Sequence, residues 1–185
     1  MNPDDCYSQL FSHANEIVSF LRCLSTSTKL PWEEHFGFQA IPIDSEWVKK
    51  EHMLSEVNEV QPIKQLGLLK IPPKSFYNWH VDDYRQSCIN LLISDMGDSF
   101  TLFGEEKNRY YHNNIIELKY MPSTYYLFNN QVKHSVTNLD DKDRYLLSLY
   151  FEEESPYEVL KAKFEDNDLI SHPDLEQNPL ASSKS

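Results

Sequence analysis

Cysteine is scarce in this chain, with Cys6, Cys23 and Cys88 the only 3 among 185 residues. The count is odd and no Cys-x-x-Cys spacing occurs, which excludes a disulfide framework and reads as reduced thiols in a cytoplasmic protein. Basic charge is short as well. Lys and Arg number 17 against 29 Asp and Glu, a formal charge of −12. Phosphate contacts need clustered cations, so a general nucleic-acid binder is not expected. No run of about 18 apolar residues exists to cross a membrane. The start, MNPDDCYSQL, opens on acids and lacks the basic-then-apolar profile of a signal peptide. Internal repeats and low-complexity tracts are missing too. What is present suffices for a folded domain. Hydrophobic residues make up 40% and aromatics 13%, too many for a wholly disordered chain. A chain of this length buries about 70% of its unfolded surface without disulfides or structural metal.

Periodicity divides the chain. Leu10, Phe11, Ala14, Ile17, Val18, Leu21 and Leu24 recur at three- and four-residue steps and predict an amphipathic helix. A second helix is expected over 44–60, with Asp44 as N-cap and Trp47, Met53, Leu54 and Val57 as its stripe. Beyond Gln61 the texture changes. IKQLGLLKI, SCINLLIS, SFTLF, NIIELKY, STYYLF, HSVTN and RYLLSLYF are short, rich in β-branched or aromatic residues, and bounded by Pro, Gly, Asn or Asp. Strands at this spacing, without helices between them, indicate an antiparallel sandwich or barrel and not a βαβ fold. A last helix is expected at about 155–166, where Ser155 would be N-cap, Pro156 would open the helix and Glu158 would complete a capping box. The expected organisation is a single domain over 1–170: a helical part at 1–60, a β-core at about 63–151 and a C-terminal helix. A disordered tail over 171–185 would follow.

Three residues carry the chemistry. His80 and Asp82 form His-Val-Asp just after the extended segment KSFYNW. In an extended chain, residues two apart project to one side with Cα atoms roughly 6–7 Å apart, so both can converge on one metal ion. His134 follows 54 positions later and opens a strand after the turn NNQVK. Two imidazoles and one carboxylate on one face of a metal leave other positions open, the arrangement that suits non-haem Fe(II). Arg144 lies ten residues after His134, across the turn NLDDKD. On a neighbouring antiparallel strand its guanidinium can enter the same cavity. A buried Arg is costly unless an anion pairs with it, and its fork fits a carboxylate bidentately. A salt bridge to Asp140, Asp141 or Asp143 is the plainer alternative.

At these residues the sequence resembles the Fe(II)- and 2-oxoglutarate-dependent dioxygenases over roughly 63–151, in particular small prolyl or aspartyl/asparaginyl hydroxylase-like bacterial and phage members. The resemblance implies a mostly β fold with flanking helices around a double-stranded β-helix core, the cupin-like jelly roll. By it His80, Asp82 and His134 hold Fe(II) as catalytic and metal residues, and Arg144 grips the distal carboxylate of 2-oxoglutarate. Arg85 and Asn90 become secondary cosubstrate contacts. O2 would be the co-reactant, and a small molecule, amino acid or peptide side chain the hydroxylated substrate. The sequence departs from the family at Lys74, where Gly is common, and at Leu146, where many members carry a Ser that bonds the cosubstrate. Tyr77 or Tyr126 is expected to supply that hydroxyl. Halogenating relatives lack the carboxylate present here as Asp82, which favours hydroxylation. A cupin-like jelly roll that binds a metal or ligand without oxidising it is the alternative. Trp79, Tyr77, Tyr110, Tyr111 and Tyr126 read as core or pocket, and His112 as a strand-end residue. His13, His35, His52 and His172 read as surface. EEES and DDKD read first as solvated loops and second as recognition sites for a cationic substrate. Oligomeric state is not legible.

Overall fold

The computed structural model describes residues 1–171 except Ser12, Thr28, Phe36, Met96, Arg109 and Tyr110, with the backbone alone at 106, 108 and 111–113. The expected tail beyond Ser171, and the readings made for Tyr110, Tyr111, His112 and His172, lie outside the described residues.

The chain opens with α1 (Pro3–Cys6), β1 (Tyr7–Gln9), α2 (Asn15–Ser25), β2 (Glu33–Glu34), β3 (Gln39–Ile43), α3 (Trp47–Lys50) and α4 (His52–Val60). The β-core follows as β4 (Ile63–Ile71), β5 (Ser75–His80), β6 (Ser87–Leu92), β7 (Ser99–Asn108), β8 (Tyr111–Glu117), β9 (Tyr125–Asn129), β10 (His134–Asn138) and β11 (Arg144–Phe151). α5 (Tyr157–Asp166) comes last. Two antiparallel sheets result, in the orders β1-β9-β6-β11-β4-β3-β2 and β5-β10-β7-β8. From β4 to β11 the chain passes back and forth between the sheets. That is the double-stranded β-helix, a closed way of burying two inner faces against each other.

Alternation along β11 explains the layering. Leu147, Leu149 and Phe151 join Ile17, Leu21, Leu54, Leu160 and Phe164 in one cluster, so the large sheet's outer face is covered by helices. Leu146 points the other way, into a cluster between the sheets with Leu92, Phe103 and Phe128. All six residues of β6 are buried because helices cover one side and the small sheet the other. Leu91 of this strand is fully buried. Leu91→Ala is expected to cost about 2–5 kcal/mol by lost transfer energy and a cavity, read as a lower denaturant midpoint.

Local chemistry moves several boundaries. The helix expected over 44–60 is broken at Glu51, whose extended backbone and carboxylate cap Leu54 N at 2.9 Å and so start a new helix. Asp44 bonds Glu46 N at 2.8 Å ahead of α3, but the N-cap position there falls on Glu46. The segment expected to be helical also contains β3, which pairs with β4 in spite of Pro42, set opposite Gly67. Pro156 is the N-cap of α5 and no side chain caps it, so the expected capping box from Ser155 and Glu158 does not form. The Ser155 carbonyl instead accepts the Ser87 hydroxyl at 2.8 Å.

Lys74 stands in the turn before β5 with φ +51°. A side chain there costs roughly 1–2 kcal/mol that glycine avoids. Lys74→Gly also gives up an exposed ion pair with Asp141, worth roughly 0.2–1 kcal/mol. The net expectation is a gain of about 0.5–1 kcal/mol in chemical denaturation. No helix among the described residues is long and apolar enough to cross a membrane.

Candidate metal centre and cavity

β5 ends at His80, β10 begins at His134, and the two are direct partners in the ladder. Just before that pair Asn78 and Trp79 of β5 stand against the single Ser135 of β10. Such a bulge re-aims the strand's last side chain. It sets the two imidazoles side by side, with ring centroids 4.3 Å apart. Each ring has its Nδ1 against a backbone carbonyl, His80 on Asn78 O at 2.6 Å and His134 on Val132 O at 2.9 Å. A nitrogen facing a carbonyl must carry the proton, so both Nε2 atoms present a lone pair. These lone pairs face Asp82 Oδ1, at 3.4 Å from His80 and 3.8 Å from His134. The three ligand atoms all lie within 4.8 Å of one another. A metal with bonds of about 2.0–2.2 Å fits near the centre of that triangle.

Asp82 is held from behind. Its Oδ2 accepts from Arg85 Nε at 2.9 Å, Arg85 Nη2 at 2.7 Å and Asn130 Nδ2 at 2.6 Å. That leaves Oδ1 alone to face the histidines. The loop 82–86 is fixed in turn by Asp82 N on Asn130 O and by Gln131 Nε2 on the Asp82 and Arg85 carbonyls. Burial opposes the Asp82 charge most strongly, yet the Arg85 guanidinium, by its charge and its hydrogen bonds, holds this carboxyl well below the usual carboxylate range. His134 is 5% exposed, and burial, then the neighbouring His80, push its pKa down to about 4. Both shifts leave the donors unprotonated near neutral pH, the state a cation needs.

The centre opens into a cavity of about 720 Å³ between the sheets. Arg144, 3% exposed, stands directly across the ladder from Ile71 of the cavity wall and behind that wall. Its Nη2 donates to Thr101 Oγ1 at 2.7 Å and its Nη1 to Phe100 O at 3.1 Å, while the guanidinium lies 5.7 Å from the Tyr120 ring. Nε has no hydrogen-bond partner among the described residues. No carboxylate among the described residues pairs with it; Asp141 takes Lys74 and Asp143 lies near Lys70 instead. Burial lowers the Arg144 pKa. Thr101 and Tyr120 line the cavity, so the cation sits just behind these two residues.

The expected residues divide into three groups. His80, Asp82 and His134 converge; Asn90 shares their cavity, with a buried side-chain oxygen that lacks a partner, whereas Arg144 lies behind the wall and reaches it only through Thr101. Arg85 lines the cavity too, but its head group is committed to Asp82, to Ser148 Oγ at 3.1 Å and to the Tyr150 ring face at 4.7 Å. Tyr126 is turned away. Its hydroxyl accepts from Met121 N at 3.0 Å. The hydroxyls expected from Tyr77 or Tyr126 beside Arg144 are supplied by Thr101, with the Tyr120 ring nearby. Tyr77 packs its ring on His80 at 4.1 Å, under the hairpin that Gly37 turns at φ +98°. His35 of that hairpin also reaches the cavity, contrary to its reading as plain surface, whereas His13 is exposed and His52 pairs with Glu56. Asn130 and Ser148 were unread. An Asn directly after a strand end, in FNNQ, was the available signal for the first.

Solved structures with the same architecture decide the fold. A prolyl-4-hydroxylase from Pseudomonas putida matches with a TM-score of 0.58 at 14% identity, over 80% of this chain and 93% of that one. A 2OG-Fe(II) oxygenase-family oxidoreductase from Burkholderia pseudomallei gives 0.52 at 13%, over 72% and 76%. The chain has the fold of the 2OG-Fe(II) oxygenases. HygX from Streptomyces hygroscopicus, solved with nickel, 2-oxoglutarate and hygromycin B, gives 0.55 at 13%, over 76% and 80%. No protein-family model matches the sequence, and no curated protein does. Within this oxygenase fold, Arg85 and Asn130 are the groups that aim Asp82. Outer contacts of this kind are worth about 10–100-fold in metal affinity. Asn130→Ala is therefore expected to weaken Fe(II) or Co(II) binding by about that factor while the far-ultraviolet spectrum is unchanged, as a competitive chelator titration would show.

Proposed function

We propose that this protein is an Fe(II)- and 2-oxoglutarate-dependent oxygenase. It couples the oxidative decarboxylation of 2-oxoglutarate to succinate with hydroxylation of a small molecule, amino acid or peptide side chain. The observation that carries this reading is the pairing of His80, Asp82 and His134 with a buried guanidinium that has no carboxylate of its own among the described residues. Two imidazoles that turn Nε2 inward and a charge-stabilised carboxylate suit a divalent metal with open positions. His80, Asp82 and His134 would hold Fe(II), which with O2 supplies the oxidising power for a C–H bond.

The remaining tasks belong to the chain. Arg144 binds the distal carboxylate of 2-oxoglutarate, with the Thr101 hydroxyl as its hydrogen-bonding partner. Burial raises the Tyr120 phenol's pKa, so it stays neutral and can donate. Leu69, Ile71 and Leu146 line the inner wall and exclude water, which strengthens that ion pair. Asn90 offers its unpaired oxygen to a ligand donor. Arg85 acts through Asp82 and not on the cosubstrate. Support for the non-catalytic cupin-like alternative came from Leu146 standing where a Ser is common; Thr101 restores a hydroxyl at the Arg.

Mass spectrometry of succinate tests the proposal. The full chain with Fe(II), 2-oxoglutarate and O2 is expected to release succinate, slowly when no substrate is present. Omission of any one component should stop it. Equal succinate with and without O2, or none under any condition, contradicts the reading.

A further inference from the structure

The outer rim of the cavity carries groups that the metal-centred chemistry leaves unused. Three large apolar side chains of high exposure line it there: Phe76, Val81 and Tyr84, the last 92% exposed. Single exposed hydrophobics are ordinary, whereas a cluster at a cavity mouth marks a ligand surface. Tyr77 continues this wall inward onto His80.

Charge selects the ligand. Arg85 is the only Lys or Arg among the described lining residues, and Asp82 neutralises it. Asp83 is exposed on the same rim and takes no ion pair among the described residues. Glu154 brings a second carboxylate to this loop through the Gln86 amide, at 2.8 Å. The DDKD loop is not involved, since Asp141 is paired with Lys74 away from the cavity. Behind the inner wall Arg144 offers a cation for an anionic cosubstrate by way of Thr101, and the outer end offers ring faces and an uncompensated carboxylate. Both are attractive to positive charge.

We propose that the primary substrate is an organic cation, an ammonium or guanidinium on an apolar stem. The stem crosses Phe76, Val81 and Tyr84 toward the metal centre, and the charge stays at the rim against Asp83. This deepens the oxygenase reading and rests on it for the chemistry performed. The cation comes either from a free amine or from a basic residue beside the reacting residue of a peptide.

Calorimetric titration of the full chain, loaded anaerobically with Fe(II) and 2-oxoglutarate, tests this with matched probes. Hexylammonium, hexanol and hexanoate form one set; acetyl-Lys-Leu-Gly-amide and acetyl-Glu-Leu-Gly-amide form the other. At low salt the cation of each set is expected to bind about tenfold tighter than its partners. Asp83→Asn should remove that preference, and Asp83→Lys should turn it toward hexanoate. Tyr84→Ala should weaken all members of a set alike. The tighter of the two cations identifies the source. Equal binding, an anion preference, a cation preference that survives Asp83→Lys, or no binding by any probe overturns the proposal. Should loading with metal and 2-oxoglutarate fail while the cation preference persists in the unloaded chain, the oxygenase reading falls and the rim assignment stands.

Discussion

Arg144→Met is expected to abolish 2-oxoglutarate binding while leaving Fe(II) or Co(II) affinity near that of the unaltered chain. Truncating one partner of a buried, hydrogen-bonded charge pair costs about 2–5 kcal/mol, or about 30-fold to several thousand-fold in affinity. The Arg144 side chain donates to Thr101 and Phe100 and touches none of the three metal-facing groups, so the metal measurement is a true control. Stability moves the other way. Without ligand this guanidinium is buried with no carboxylate among the described residues, and a charge held like that destabilises the fold. Replacing it with a side chain of similar volume is expected to stabilise the ligand-free protein by about 1–4 kcal/mol in chemical denaturation. A purely structural Arg predicts the opposite sign, because the two hydrogen bonds would be lost for nothing. Saturating 2-oxoglutarate should raise the melting temperature of the unaltered chain and not that of the variant.

Asp82→Ala is expected to lose metal binding and to destabilise the ligand-free fold. Its carboxylate supplies Oδ1 to the triangle and Oδ2 to Arg85 and Asn130. Removing it leaves the Arg85 guanidinium largely buried and unpaired. Breaking a buried pair from one side costs about 3–5 kcal/mol. The two arginines are thus expected to respond with opposite signs: Arg85 has its anion within the chain, and Arg144 has none among the described residues. Denaturation of Asp82→Ala, Arg144→Met and the unaltered chain, all metal-free, reads that contrast in one experiment. Equal destabilisation by both variants would dissolve it.

How much of this was legible in sequence depends on where the information sits. RYLLSLYF, HSVTN and IKQLGLLKI became β11, β10 and β4 to the residue, because turn residues bound each run and its period is short. His80 and Asp82 were readable because two-residue spacing in an extended chain is itself geometry. The burial of Arg144 without a carboxylate beside it was readable because a cation among apolar residues near a strand start is costly without a partner, although β11 lies in the other sheet from β10 and is not its ladder neighbour as expected. Arg85 was misread because its partner lies three residues back in a loop, and loop conformation follows from long-range bonds such as Gln131 to the 82 and 85 carbonyls. Tyr126 was preferred to Tyr120 and Thr101 for want of register. Its hydroxyl is captured by the turn at Met121, while Thr101 reaches Arg144 from the opposite sheet. Pro42 concealed β3, and the Glu51 cap that splits the predicted helix needed a backbone conformation that periodicity does not carry.

The initial shortage of basic residues also takes on a different meaning. In a chain of net charge −12, one guanidinium is buried behind the cavity wall without a carboxylate among the described residues and the other holds Asp82. Bulk charge repels anions, so under the proposed function a dianionic cosubstrate depends on Arg144 to be held.

Anaerobic titration of the full chain with Fe(II) and then 2-oxoglutarate is the most direct measurement. The account predicts a visible charge-transfer band that appears only with both present. The band should be lost in Asp82→Ala through the metal and in Arg144→Met through the cosubstrate. Properly folded, metal-loaded protein that develops no band with saturating 2-oxoglutarate would contradict it.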